Sequence, residues 1–310
     1  MNKSTKILLG ILIVLGAIYA VERMTSTSST TEKSKPLSTV DTARVQQITI
    51  DFGKKIVFNK QGNLWMIVAP INFPADRGQV NLFLSRIGSN PSASVVADNM
   101  SDSSAYGLGS GAPLVTFGQG NGKMLSLRVG NLTPDFNGCY IQVLGENKVL
   151  ELSANIRTLA GQTLTNWRDK KIFSFNLDSI KTVDFAIGDT LYHFLHRDTL
   201  WQVNGVHVPE MKARDVVESL IGSMALDFID SSVSSPKALV EYGILLSNGG
   251  HVAGKIFELA ESEGSRPWSG QVCLSNSANS QIYVISSMLP EDMKQELREI
   301  REAYLTKKSS

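Results

Sequence analysis

The chain is poor in cysteine, with only Cys139 and Cys273 in 310 residues. Two cysteines exclude a disulfide-built scaffold and cannot supply a typical four-ligand zinc site. They leave room for one disulfide, which an oxidising compartment would permit. Charge of one sign is missing as well. Thirty lysines and arginines face 29 acidic residues, so the composition gives no basic footprint for nucleic acid. No serine sits in a G-x-S-x-G elbow, and no nucleophile, base and orienting group share a recognisable spacing. What is present suits a folded protein. Hydrophobic residues make up 42% and charged residues 19%, enough for a packed core with disorder confined to short segments. The length suggests about two domains.

The N-terminus bears on the compartment. Lys3 and Lys6 precede an apolar run from Ile7 to Val21. A positive flank stays in the cytoplasm, so the remainder is expected outside it. The run is short for a spanning helix, which usually needs about 20 residues, although Lys6 can snorkel and Tyr19 can sit at the interface. A single-pass anchor over residues 1–23 is the expectation. The alternative is a cleaved signal peptide with Ala20 as the last residue removed, although Ile18 fits the small-x-small pattern poorly. No cysteine follows the run, which excludes a lipoprotein anchor. Residues 24–42 are rich in Ser, Thr and Lys without apolar periodicity, and read as a flexible tether.

The body repeats itself at an offset of about 135 residues. Val45–Asp51 and Ile180–Ala186 both alternate apolar with polar, the pattern of a half-buried strand. "KKIVFNKQGNLW" answers "TLYHFLHRDTLW", each a hairpin, turning at Gln61-Gly62 and near Arg197-Asp198. Trp65 then answers Trp201, and Pro74 answers Pro209. A helix follows in each copy. The first is expected to open at Asp76 as N-cap and to bury Val80, Phe83, Leu84 and Ile87. The second is expected to bury Ala213, Val217, Leu220 and Met224. One further strand follows in each, "SVVADN" and "LDFIDS". Tyr106-Gly107 in "SAYGL" matches Tyr242-Gly243 in "VEYGI", and both copies then run into glycine-rich hairpins. "SANIRTLAGQTLTNWRDKKIF" (153–173) is expected to be a helix leading into the second copy. The chain ends in a helix with Pro290 at its first position and a stripe of Met293, Leu297, Ile300 and Tyr304. The expected fold is α+β: two tandem repeats, 43–175 and 176–310, each an antiparallel meander with an inserted helix and a terminal helix.

This succession resembles a bacterial family called domain of unknown function 4340. Its marks here are the Trp-ended strand pair, the proline turn with Ala75-Asp76, Tyr-Gly-Leu at 106–108, "RVGNLTPDFNGCYIQV" at 128–143, and Asn166–Phe173 before the unit restarts. The second copy departs where Met211 replaces the continuation of the Ala-Asp pair, and where "ESEGSRPWSGQV" lacks the Gly-Asn-Leu-Thr-Pro form. The resemblance carries no established activity and no catalytic residues. Members are often encoded beside ABC-transporter parts of the gliding-motility type. It therefore implies an accessory protein on the outer face of the cytoplasmic membrane that serves a transporter.

Chemical motifs are weak. "GGHVAGK" (249–255) has the glycines and lysine of a phosphate loop, but Ile256 stands where Ser or Thr should meet magnesium, and strand-like runs flank it. "GLGSGAP" (107–113) reads as a turn. His193 and His196 lie in a strand pattern that sends them to opposite faces, which disfavours metal binding. His207 and His251 stand alone. Trp65 and Trp201 are expected in the core rather than as stacking platforms.

The signature residues Trp65, Pro74, Asp76, Tyr106, Gly107, Trp201, Pro209, Tyr242 and Gly243 are thus read as structural, with no catalytic, metal or cofactor site. The expected function is that of a non-enzymatic, membrane-anchored periplasmic accessory or scaffold of an ABC-type transport complex. The alternative is a ligand- or glycan-binding module using a groove between the repeats. An envelope hydrolase is a third possibility without a supporting motif.

Overall fold

The computed structural model describes residues 33–306 apart from 121, 199, 231–232, 234–236 and 260–269, together with positions 14 and 16. The expected anchor over 1–23 lies, but for those two positions, outside the described residues. Among the described residues no helix is long and apolar enough to cross a membrane. The chain divides between Arg168 and Asp169 into two compact units.

The first unit holds β1 (Lys33–Ser34), β2 (Val45–Phe52), β3 (Lys54–Gln61), β4 (Leu64–Ala69), β5 (Phe73–Pro74), β6 (Ala93–Ala97), β7 (Leu114–Gln119), β8 (Met124–Leu132), β9 (Cys139–Val143) and β10 (Val149–Leu152). They form one antiparallel sheet in the order β1-β6-β10-β9-β8-β7-β2-β3-β4-β5. The second unit holds β11 (Ile180–Ile187), β12 (Thr190–Arg197), β13 (Leu200–Val203), β14 (Val206–Val208), β15 (Asp227–Ile229), β16 (Ala238–Leu246), β17 (His251–Glu258), β18 (Val272–Asn276) and β19 (Ile282–Val284). Their order is β14-β13-β12-β11-β16-β17-β18-β19-β15. Read from the other end, this is the first sheet strand for strand, without β1. The fold is α+β, built from two β-rich repeats.

Period-two alternation sets the faces. Ile48 and Ile50 face Phe58 and Ile56 across β2–β3; Val183 and Phe185 face Phe194 and Tyr192 across β11–β12, and all eight are buried. The hairpins turn where expected, through left-handed backbone at Gly62 (φ 59°) and Asp198 (φ 53°).

One helix packs on each sheet. In the first unit it runs Arg77–Gly88, and Asp76 caps it by accepting from the Gln79 N–H at 2.9 Å. Val80, Phe83 and Ile87 are buried, and Leu84 packs beside them half-buried. Phe83 meets Phe117 and Trp167, with ring centroids 5.7 and 5.8 Å apart. In the second unit the helix runs Glu210–Ile221 and buries Ala213, Val216, Val217 and Leu220. Met224 is not on that stripe. The helix stops at Gly222, whose N–H bonds back to Glu218, and Met224 lies beyond it, 48% exposed. The last helix, Leu289–Ile300, buries Met293, Leu297 and Ile300 and packs against Glu210–Ile221, where Lys212 meets Glu299 at 2.9 Å. Pro290 sits in its first turn. Tyr304 is half-buried in a π-helical turn, Arg301–Leu305.

Two expectations are corrected. The tether does not extend to residue 42: β1 pairs with β6, and Leu37 and Val40 are buried in the first core. Those two apolar residues are too few to show periodicity, but enough to anchor a segment. The stretch 153–173 is not one helix either. It forms two short ones, Arg157–Ala160 and Leu164–Trp167, broken where the Gly161 N–H closes on Arg157 and Thr163 turns extended. Their purpose is to deliver Trp167, 1% exposed, edge-on to Phe58 at 5.1 Å.

Candidate functional site

The second sheet has an outer face as well as a core face. Because Val183, Phe185, Tyr192, Phe194, Tyr242 and Ile244 turn inward, their neighbours turn outward. Register then places Asp184 between His193 and Gly243, with Ala253 next to Gly243. One row along, Ala186 lies between Leu191 and Glu241, followed by Lys255 and Ser275. The small residues Ala186, Gly243 and Ala253 leave a depression, and the longer side chains rim it. The concavity measures about 590 Å³.

Asp184, which lines the concavity, meets His193 just outside the lining, Oδ1 to Nδ1 at 2.6 Å, with both side chains about half exposed. A carboxylate orients the imidazole, as in acid–base sites. No hydroxyl or thiol completes the pair: among the described residues, Asp184 is the only hydrogen-bond partner of the His193 ring. Nor do the described residues hold a group of three or more His, Cys, Asp or Glu placed for a metal. Glu241 and Lys255 oppose each other across β16–β17, so the rim carries both signs of charge.

The same face of the first unit is occupied. Register makes Arg128 the counterpart of Lys255, and Arg128 Nη1 donates to the Gly109 carbonyl at 2.9 Å. The 98–113 connection between β6 and β7 reaches onto this face. Asn131 N–H donates to the Tyr106 carbonyl at 2.8 Å, and the Tyr106 and Tyr140 rings meet edge-on at 5.0 Å. In the second unit the corresponding connection is the shorter 230–237.

The sequence signature now sorts by place. Trp65 and Trp201 are 5% and 1% exposed and occupy equivalent positions, opposite Lys60 and His196. Trp201 also stacks on His196 at 4.3 Å. Pro74 and Pro209 are not equivalent. Pro74 pairs with Met66 in β5, whereas Pro209 occupies the helix cap that Asp76 holds in the first unit. The Pro70–Asn72 link before β5 is longer than Asn204-Gly205 before β14, which displaces the prolines. Tyr106-Gly107 and Tyr242-Gly243 are not equivalent either. The first pair lies in the 98–113 turn and the second in mid-strand β16, where Tyr242 takes the place of Val115. Of the signature residues only Tyr242 and Gly243 reach the concavity.

Asp184, His193, Glu241 and Lys255 are far apart in sequence, and only the strand register joins them. The one available signal was alternation, which correctly sent His193 and His196 to opposite faces. "GGHVAGK" places Lys255 within β17, which continues as strand to Glu258. Cys139 and Cys273 are free, buried thiols in different units. Burial pushes Cys139 above its usual range and Cys273 up to about 12.

No curated protein and no solved structure matches the chain. Residues 65–244, from the Trp65 corner of the first unit to mid-β16 of the second, match the family described as domain of unknown function (DUF4340). That is more than half of the 310 residues, and the chain belongs to this family.

Proposed function

We propose that the protein is a non-catalytic accessory subunit, held at the cytoplasmic membrane with its body outside, that binds a component of an ABC-type transport complex. Support comes from the outer face of the second sheet, where the described residues form a concavity of about 590 Å³ floored by small residues and rimmed by both signs of charge. The first unit's own 98–113 turn reaches onto the matching face, whereas among the described residues nothing comparable covers the second. The lysine-flanked apolar run at Ile7–Val21 supplies the expected membrane attachment. The test is affinity purification of the tagged full chain from solubilised membranes. Co-recovery of transporter subunits, lost on Gly243→Arg, is the expected result. Recovery of the chain alone overturns the proposal.

A second reading is favoured by the size of the same concavity, which lies within the range of small-molecule sites. There the face binds a glycan or peptide of the envelope. Such a ligand raises the melting temperature of the wild type and not of Gly243→Arg. Absence of any shift at saturating concentrations removes this reading.

A further inference from the structure

We infer that a crevice beside the last helix of the second unit binds a phosphate group, carried either by a soluble phosphate or by a phospholipid headgroup. The site is independent of the concavity above. Helix Leu289–Ile300 turns Met293, Leu297 and Ile300 into the core. The stripe beside that one carries Lys294 and Arg298, and Arg301 continues it, at i, i+4 and i+7. All three line a single crevice of about 190 Å³, whose other wall is Ile187, Thr190 and Tyr192 at the β11–β12 turn.

Three like charges on one stripe repel one another. Lys294 is offset by Glu291 at 2.7 Å. Arg298 and Arg301 make no ion pair among the described residues. The neighbouring helix shows the usual solution: its Arg214 is flanked by Glu210 and Glu218 at 3.2 and 2.7 Å. The helix dipole accounts for a cation in the last turn. It does not account for three cations sharing one crevice with two hydroxyl-bearing side chains.

A group of several anionic oxygens satisfies this set. Guanidinium groups grip phosphate through paired N–H donors, and lysine adds a compact charge. Thr190 and Tyr192, both hydroxyl-bearing, line the opposite wall. The volume falls below the range for whole small-molecule ligands, so it suits a headgroup or a single phosphate. The near-neutral chain, with a formal net charge of +1, makes the local cluster a feature of this place rather than of general basicity.

The test uses thermal unfolding of the full chain in maltoside micelles. One arm titrates inorganic phosphate against chloride at constant ionic strength. The other compares micelles with and without phosphatidylglycerol. The Arg298→Gln/Arg301→Gln double variant is run in parallel; both residues are exposed, so its melting in chloride should match the wild type. Arg301→Gln alone is the second variant, should the double one fold poorly. The expected result is a rise of about 3 °C at ten times the Kd, with binding weakened about tenfold or more in the variants. A rise in both arms identifies the phosphate group itself as the determinant. A rise with phosphate alone assigns a soluble ligand, and one with phosphatidylglycerol alone assigns a headgroup. No rise in either arm, or an equal rise in the variants, overturns the inference.

Discussion

The two units carry the same ladder of strands and fill it differently. Across β7–β8 the first unit sets Val115 against Leu127. The same inward-facing position in the second unit sets Tyr242 against Gly254. One pair is medium and medium, the other large and absent. A Cβ at Gly254 would stand 2.5 Å from the Tyr242 hydroxyl oxygen and 1.9 Å from the Ser275 carbonyl oxygen. The tyrosine therefore fills the room that a side chain at 254 would need, and its hydroxyl donates to that same carbonyl at 2.9 Å. The outer faces diverge too: the first is covered by its own turn, and among the described residues nothing comparable covers the second. A repeat thus keeps its hydrogen-bond ladder and its core volume, while residue identity drifts in compensating pairs.

The largest expected effect attacks that compensation. Gly254→Ala should destabilise the second unit by about 3 kcal/mol, because a backbone carbonyl and a buried ring cannot both move away. Leu127→Ala, at the matching place, should cost about 2–5 kcal/mol for the opposite reason, an unfilled cavity. Urea unfolding of the full chain followed by tryptophan fluorescence measures both. A Gly254→Ala midpoint equal to wild type would mean that Tyr242 does not depend on the glycine.

Next in size is the contrast between the two Tyr-Gly pairs. Gly107 has φ +70°, and a Cβ there would meet Asn131 Oδ1 at 2.2 Å and its backbone nitrogen at 2.9 Å. Gly107→Ala should cost about 2 kcal/mol through strain and lost docking of the 98–113 turn. Gly243 lies in ordinary strand backbone, and its nearest neighbour would be His251 Nε2 at 3.7 Å. Gly243→Ala should stay within about 0.5 kcal/mol of wild type. Equal losses at the two sites would restore the equivalence that the sequence suggests and the strand register denies.

That mismatch shows what was legible. Strand alternation, the turns at Gly62 and Asp198, the Asp76 cap and the buried Trp65 and Trp201 all depend on near neighbours, so the sequence carried them. The Tyr-Gly match failed because two identical letters outweighed a connection of different length, 98–113 against 230–237. Only cross-strand register distinguishes a strand from a turn there. The outer concavity was illegible for the same reason: Asp184, Leu191, Glu241 and Lys255 come from four strands. Trp167 hid in a stretch that looked like one helix until Gly161 broke it.

A smaller effect separates the two helix starts. Asp76 satisfies the Gln79 N–H, so Asp76→Ala should cost about 1 kcal/mol. Pro209 holds the same position without a side-chain hydrogen bond. Pro209→Ala should cost about 0.5 kcal/mol or less, mainly through a freer unfolded chain. Chemical denaturation of the two single variants compares them directly. A larger loss at Pro209 would show that the turn, rather than the cap, fixes where each helix begins.

The smallest effect belongs to a helix that the first unit lacks. After its sheet, the second unit adds Leu289–Ile300, against which Glu210–Ile221 packs. Glu296 is partly buried there, and among the described residues its Oε2 has no hydrogen-bond partner. Burial raises its pKa above the ordinary 4.5, Asp215 and Asp292 push the same way, and Lys212 opposes them. A carboxyl raised in the folded state holds its proton more tightly folded than unfolded. Its contribution therefore favours folding at low pH and is lost as pH rises from the ordinary value through the raised one. Glu296→Gln removes that loss, so the variant should be slightly more stable than wild type near about pH 7, with the advantage shrinking toward about pH 4. Glu299 runs the other way, its pKa lowered by the Lys212 hydrogen bond, but it is intact in both proteins. The difference between the two urea midpoints across this range thus reports Glu296 together with its repulsion from Asp215, Asp292 and Glu299. A difference that stays constant with pH would mean that its carboxylate is as well solvated in the folded unit as in the unfolded chain.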